Sequence, residues 1–206
     1  MDSNCSALLL SGGASRRWGG RAKSSLPVRG QTALLYLVET AQECGCAPVV
    51  VVVGPGQEVE GAGRSDDMGL TVIRVPDDPV ARTGSIHAGL SSIPSARHLL
   101  LWPVDHPFVR RETIVRLLDA VPRFPSAAWW VPEYRRQGGH PVIVRSDWIP
   151  RIRALSATAP LRDARPREPP LLQRVVVDDP GVVANIDDPV TYDRFLHEAA
   201  VRGEPW

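Results

Sequence analysis

The chain contains no apolar run approaching the roughly 20 residues that a membrane-spanning helix requires, which excludes an integral helical membrane protein. It also lacks an excess of either charge. Its 24 lysines and arginines face 23 aspartates and glutamates, so no global basic field invites nucleic acid or an anionic membrane surface. Any anion must therefore be held by a local cluster. Cysteine is scarce: Cys5, Cys44 and Cys46 are odd in number and lack the spacing of a zinc cage. No charged-then-apolar leader opens the sequence, and reduced thiols in a cytoplasmic protein are the expectation. The five histidines, His87, His98, His106, His140 and His197, are scattered without zinc-site spacing, and no GxSxG nucleophile motif is present. Repeats are absent, and only ARPREPP resembles a low-complexity loop. Proline and glycine are plentiful instead, 20 and 17 residues, and imply many tight connections.

With 206 residues and 43% hydrophobic content, the chain suffices for one sizeable core. Ser6 to Leu10 reads as a buried strand. After a glycine-rich loop, Leu34, Leu37, Val38 and Ala41 recur at helical spacing until Gly45. Pro48 to Val53 is an uninterrupted β-branched run, the pattern of a central parallel strand covered on both faces. A short strand over Thr71 to Val75 precedes a helix bearing Ile86, Gly89, Leu90 and Ile93. His98 to Val104 is the next strand, and Ile114, Leu117, Leu118 and Val121 mark the helix after Pro107. This alternation implies right-handed crossovers and a mostly parallel sheet in a three-layer αβα, Rossmann-like fold. Beyond residue 122 the rhythm changes. Ala127 to Val131 and Pro141 to Val144 read as strands separated by the turn-rich EYRRQGGH, with another strand at Leu172 to Val177. Asp188 then caps a final helix, with Pro189 in its first turn and Tyr192, Phe195, Leu196 and Ala199 on its buried side. We expect one domain over residues 1–206, with its two halves meeting at about residue 122.

The loop that follows the first strand carries most of the chemistry. It sits at the carboxyl edge of the sheet, where open α/β folds bind ligands. Its glycines let backbone N–H groups face an anion, and Arg16, Arg17, Arg21 and Lys23 add charge-assisted donors. A polyphosphate is the natural guest, although an exposed basic turn has the same composition. The loop is neither a Walker sequence nor a GxGxxG fingerprint.

The segment LSGGASRRWGGRAK resembles the signature LAxGxxxRMGxxK of the MobA-like NTP transferases, which include molybdopterin guanylyl- and cytidylyltransferases and related sugar-phosphate nucleotidylyltransferases. Four later segments agree in order: TGSIHAGL, VDHPFVRRETIVRLL, GGHPVIV and VDDPGVVANIDDPVTYDRF. The resemblance implies that Arg17 and Lys23 hold the triphosphate, with Leu10, Ser11, Gly12 and Gly13 beside the base and phosphates. Trp18 stands where the family usually has methionine, which implies altered packing of the loop. Gly84 and Ser85, at a helix start, would offer N–H groups to an anion or ribose, unless they are an ordinary cap. His87 replaces the arginine common in the cytidylyl branch. The resemblance makes residues 1 to about 122 the nucleotide-binding half and about 123 to 206 the acceptor-binding half, where His140, Arg135, Arg136 and Asn185 are the acceptor-binding candidates, with a solvated turn as the alternative for the two arginines.

Asp105 ends a buried strand and so reaches the same sheet edge. The resemblance assigns Asp187 as its partner, and two carboxylates there suit Mg²⁺, which prefers hard oxygen ligands shared with substrate phosphates. Each aspartate, adjoining or near proline, has helix capping as its alternative role. The implied reaction is nucleotidyl transfer from CTP or GTP to a phosphate-bearing acceptor, with molybdopterin suggested by the branch. An already ionised phosphate needs no general base, so Arg17, Lys23 and Asp105 would act by positioning and charge neutralisation. The two-glycine opening is closer to the guanylyl form. GSIHAGL, GGHP and DDPG are closer to the cytidylyl form and favour CTP. Two rivals stand beside this reading. A nicotinamide-dependent oxidoreductase is suggested by Gly54-Pro-Gly-Gln-Glu-Val59, but that loop has Val59 where a small residue belongs and is followed by no convincing helix. A non-catalytic nucleotide-binding protein would have no chemical reason to keep Arg17, Lys23, Asp105 and Asp187 together.

Overall fold

A computed structural model describes residues 4–11, 18–19, 22–55, 57, 59, 70–76, 82–95, 97–204 and 206. The central strand β1 (Cys5–Ser11) is buried along its whole length, as is β4 (Val49–Val53) beside it. A short hairpin, β2 (Pro27–Val28) and β3 (Gln31–Thr32), lies between them in sequence and forms its own two-stranded sheet. The main sheet continues with β5 (Leu70–Arg74), β6 (His98–Pro103), β7 (Trp129–Tyr134), β8 (Gln137–Gly138), β9 (Val142–Val144) and β10 (Leu172–Val176). Its order is β10-β7-β9-β6-β1-β4-β5, with β8 paired to β7. β1 pairs in parallel with β4 on one side and β6 on the other, which makes its carboxyl end the topological switch point. β9 runs antiparallel to both of its neighbours, β6 and β7.

Alternation along the strands divides the core into two layers. Ala7, Leu9, Val49, Val51 and Val53 face one set of helices, α1 (Ala33–Glu43), α3 (Arg111–Arg123) and α5 (Pro189–Val201). Leu8, Leu10, Val50 and Val52 face the other set, α2 (Arg82–Leu90) and α4 (Ile149–Arg153). The expected αβα sandwich is therefore present, and its valine run is covered on both faces. Thr32 caps α1 by accepting from Leu35 N, and Asp188 caps α5 by accepting from Thr191 N at 2.7 Å. Two expectations shift: Ile93 is buried in the turn after α2, and β7 starts at Trp129 instead of Ala127 because Ala127 and Ala128 complete the entering turn. The three cysteines are free thiols. Cys5 lies beside Cys46, whose hydrogen bond together with burial pushes the Cys5 thiol well up, so it is a packing group. Among the described residues no helix is long and apolar enough to cross a membrane.

Two polar clusters fasten the final third of the chain to the start of α3, in the middle third. Asp179, 2% exposed, accepts from Arg110 N (2.9 Å), Thr113 Oγ1 (2.6 Å) and Gly181 N (2.9 Å). It thereby caps the entry to α3 and fixes the turn over residues 180–182. Burial pushes its carboxyl up, against the lowering effect of those donors. The second cluster surrounds Glu204, which accepts from Arg202 Nε at 2.7 Å and Trp206 Nε1 at 3.2 Å and pairs with Arg110. Trp206 in turn packs edge-on against Phe108, which stacks on Phe195 at 4.3 Å.

Removing the Asp179 acceptor leaves buried donors unsatisfied, so Asp179→Ala is expected to cost about 2–4 kcal/mol in urea denaturation. Burial raises the Glu204 carboxyl, but Arg202, Arg110 and Trp206 together bring it down from 4.5 to about 2. A carboxylate depressed in the folded state stabilises above its unfolded value, and that stability is lost as the pH falls toward the folded value. Melting curves across that acidic window should therefore fall more steeply for the natural chain than for Glu204→Gln.

Candidate active site

The carboxyl ends of β1 and β6 are tied side by side, Val104 N donating to Leu10 O at 2.9 Å. Leu10 and Ser11 are thus at the expected edge. Ser11 Oγ donates to Gln57 Oε1 at 3.1 Å, which brings Gln57, after β4, against the end of β1. Gln57 was not apparent from the sequence, because nothing in GPGQEV signals a contact 46 residues away. Gly12, Gly13 and Arg17 lie outside the described residues. Trp18 packs edge-on against Tyr192 of α5, ring centroids 5.9 Å apart, and Tyr192 Oη donates to Pro27 O at 2.6 Å. The residue that replaces methionine therefore docks its loop on the last helix. Lys23 opens a single helical turn over Lys23–Ser25, closed by Leu26 N donating to Lys23 O.

Asp105, 9% exposed, follows β6. Its carbonyl accepts from Ile186 N at 2.7 Å, which holds the extended segment 185–187 against the end of the strand. From that segment Asp187 Oδ1 meets Lys23 Nζ at 2.7 Å, across 164 residues of sequence. Asn185 Nδ2 donates to Asp187 Oδ2 at 3.1 Å. The fold thus gathers Lys23, Asp105, Asn185 and Asp187 at one sheet edge. His106 Nε2 stands 3.9 Å from Asp105 Oδ1, and the His106 and His140 rings lie 5.0 Å apart. His140 reaches the group because it precedes β9. An antiparallel strand begins where its parallel neighbours end.

GGHP packs against Val182, the residue that follows DDPG. His140 N donates to Val182 O at 2.8 Å. A Cβ on Gly139 would stand 2.0 Å from Val182 O, and one on Gly181 would stand 2.0 Å from Phe108 O. Only glycine permits this approach of three backbones, and the approach sets the path of the segment that carries Asp187.

The remaining candidates are arranged otherwise. Gly84 N donates to Ala157 O at 3.1 Å, and Thr83 Oγ1 bonds the carbonyl of Ala159. The expectation that Gly84 presents its N–H to a ligand is corrected: the loop after α4 takes that donor. Ser85 is buried within α2. His87 Nε2 is 2.8 Å from Ile152 O and links α2 to α4. Arg135 and Arg136 are exposed at the hairpin tip with positive φ of 48° and 68°, and Arg135 covers the Tyr134 ring, as expected of a solvated turn. His98 Nδ1 accepts from Ser146 N at 3.1 Å, and burial lowers its pKa, so it serves as a neutral structural acceptor.

The donor chemistry is compatible with a hard divalent cation: Asp105 and Asp187 carry carboxylates on segments joined by the Ile186 N to Asp105 O bond, and the Asn185 amide adjoins Asp187. Among the described residues no three His, Cys, Asp or Glu side chains form a complete metal cage. Such a site suits an ion that shares its coordination with substrate phosphates, and it does not suit structural zinc.

A switch point at the carboxyl end of β1, with two acids and a lysine gathered at the same sheet edge, is the setting of a nucleotidyltransferase. Residues 7–171 match the MobA-like NTP transferase domain, and the chain belongs to that family. It is 28% identical over 185 residues to nicotine blue oxidoreductase of Paenarthrobacter nicotinovorans, covering 87% of this chain and 90% of that protein. It is 34% identical over 120 residues to molybdenum cofactor guanylyltransferase of Bradyrhizobium sp. (strain ORS 278), covering 55% of this chain and 53% of that one. Its fold is similar to that of Rv0371c from Mycobacterium tuberculosis H37Rv, with TM-score 0.75, 23% identity and coverage of 94% and 98%. The manganese complex of Rv0371c is similar at TM-score 0.70 and 21% identity, with the same coverage.

Because Gly139 packs against a carbonyl, Gly139→Ala is expected to cost about 1–3 kcal/mol in thermal denaturation and to lower turnover by displacing residues 182–187.

Proposed function

We infer that the chain transfers a nucleoside monophosphate from an NTP to a phosphate-bearing acceptor and releases pyrophosphate. The observation that carries this reading is the 2.7 Å contact of Lys23 with Asp187 beside the Asp105 backbone. The lysine of the opening signature, the acid after β6 and the acid of NIDDP come together from three distant parts of the chain. Their shared chemistry is the binding of a metal–triphosphate.

In this mechanism Lys23 holds phosphate oxygens and, with Arg17, neutralises the charge that builds on departing pyrophosphate. Asp105 and Asp187, with Asn185 beside them, would hold Mg²⁺ or a similar ion, which when bound draws charge from the α-phosphate. The acceptor phosphate is already ionised, so the protein's task is alignment and the exclusion of competing water. His140, at the start of β9, and His106 line the side from which the acceptor approaches.

Guanylyl transfer is the favoured specificity. Of the motifs that resemble the cytidylyl branch, GGHP packs on Val182 directly after DDPG, so these two bear on the path of Asp187 more than on a base, and GSIHAGL lies in α2, tied to α4 through His87. By resemblance the opening loop after Leu10 reads the base, and its two glycines resemble the guanylyl form. A molybdenum cofactor guanylyltransferase among the relatives agrees with this choice. Molybdopterin is the acceptor we favour, ahead of sugar phosphates. The relationship with nicotine blue oxidoreductase supports redox chemistry as a second reading.

Pyrophosphate release, measured with each of the four NTPs against molybdopterin and a panel of sugar phosphates, should be fastest with GTP and molybdopterin. CTP in first place would restore the cytidylyl reading. Consumption of reduced nicotinamide without pyrophosphate release would favour the redox reading. Asp105→Ala should lower turnover about 10³-fold or more while circular dichroism remains unchanged. Full activity in that variant would remove Asp105 from the mechanism.

A further inference from the structure

The ion pair between Lys23 and Asp187 joins two groups that the transfer reaction needs on different partners. Asp187 accepts from Lys23 through Oδ1 at 2.7 Å and from Asn185 through Oδ2 at 3.1 Å, so both carboxylate oxygens are engaged by donors of the chain itself. The Lys23 side chain is 15% exposed and that of Asp187 is 43% exposed, so solvent reaches the pair from the carboxylate side. An ammonium group carries three donors and no acceptor. Held at hydrogen-bond distance from Asp187, it repels a divalent cation approaching the same oxygen. A triphosphate offers Lys23 an equivalent anionic partner, and a lysine drawn onto phosphate withdraws its positive charge and its donor from Asp187 Oδ1. The exchange keeps each charge compensated, and no buried ion is left alone at either stage.

We propose that the Lys23–Asp187 ion pair is a latch that withholds Asp187 from a divalent cation until a polyphosphate takes Lys23. The proposal rests on the nucleotidyl-transfer reading. Linkage then requires nucleotide to raise metal affinity by the same factor by which metal raises nucleotide affinity. It also limits idle binding of cations at a site whose two acids would otherwise attract them. The backbone bond from Ile186 to Asp105 holds the carboxylate-bearing segment in place while its partner changes, so the switch needs only the lysine side chain to move.

The test is Mn²⁺ binding to the full chain without nucleotide, followed by the electron paramagnetic resonance signal of the free ion, in a double-mutant cycle. Lys23→Met should bind Mn²⁺ about tenfold more tightly than the natural chain. Lys23→Arg, which keeps the cation, should match the natural chain. The gain from Lys23→Met should vanish when Asp187→Asn is added, because the latch acts through that carboxylate. Unchanged Mn²⁺ affinity in Lys23→Met overturns the latch, as does an equal gain in the Asp187→Asn background, which would show only the general field of a lysine. A parallel melting experiment separates this failure from failure of the underlying reading. Stabilisation of the natural chain by NTP with Mn²⁺, combined with unchanged affinity in Lys23→Met, removes the latch alone. No stabilisation by any NTP removes both.

Discussion

The hydrogen bond from Ile186 N to the Asp105 carbonyl is the constraint on which the site depends. It joins the end of β6, in the middle of the sheet, to a segment that arrives only after β10 has been laid down at the far edge. Without it Asp105 and Asp187 would belong to separate surfaces. Several features serve to hold this joint. Asp179 fastens the preceding turn to the start of α3, Gly181 lets that turn lie against Phe108, and Val182 receives the N–H of His140. The polar groups consumed in this way are backbone amides and one buried acid, which leaves the functional side chains to face the substrate edge.

This arrangement separates two kinds of sequence signal that look alike in the primary structure. Short motifs of glycine, histidine, aspartate and proline suggest ligand contacts, and Lys23, Asp105 and Asp187 do assemble at the sheet edge. GGHP and DDPG belong mainly to the framework. Their glycines are required by carbonyl oxygens of the same chain. Gly84 is a third instance: its N–H at the start of α2 is taken by Ala157 and does not face outward.

The sandwich and its parallel core were legible because buried valines and leucines alternate between two helical layers, and the run from Val49 to Val53 admits few other placements. The final helix was equally plain, since Asp188 and Pro189 form a local cap whose chemistry does not depend on tertiary context. What could not be read was long-range. No periodicity reports that β9 enters the sheet backwards, that Gln57 touches Ser11, or that Lys23 lies against Asp187. The site residues were found through motif resemblance, and their mutual distances came only from the fold. His106 escaped notice because a histidine next to an aspartate carries no spacing signal of its own.

The reversed strand β9 has one more implication. Since it enters the sheet at the functional edge, the β7–β8 hairpin before it turns at that same edge, with Arg135 and Arg136 exposed at its tip. Lengthening, trimming or recolouring that tip would leave the buried valine lattice undisturbed. On the nucleotidyl-transfer reading, the tip is where the surroundings of a second substrate can drift at little cost to the scaffold.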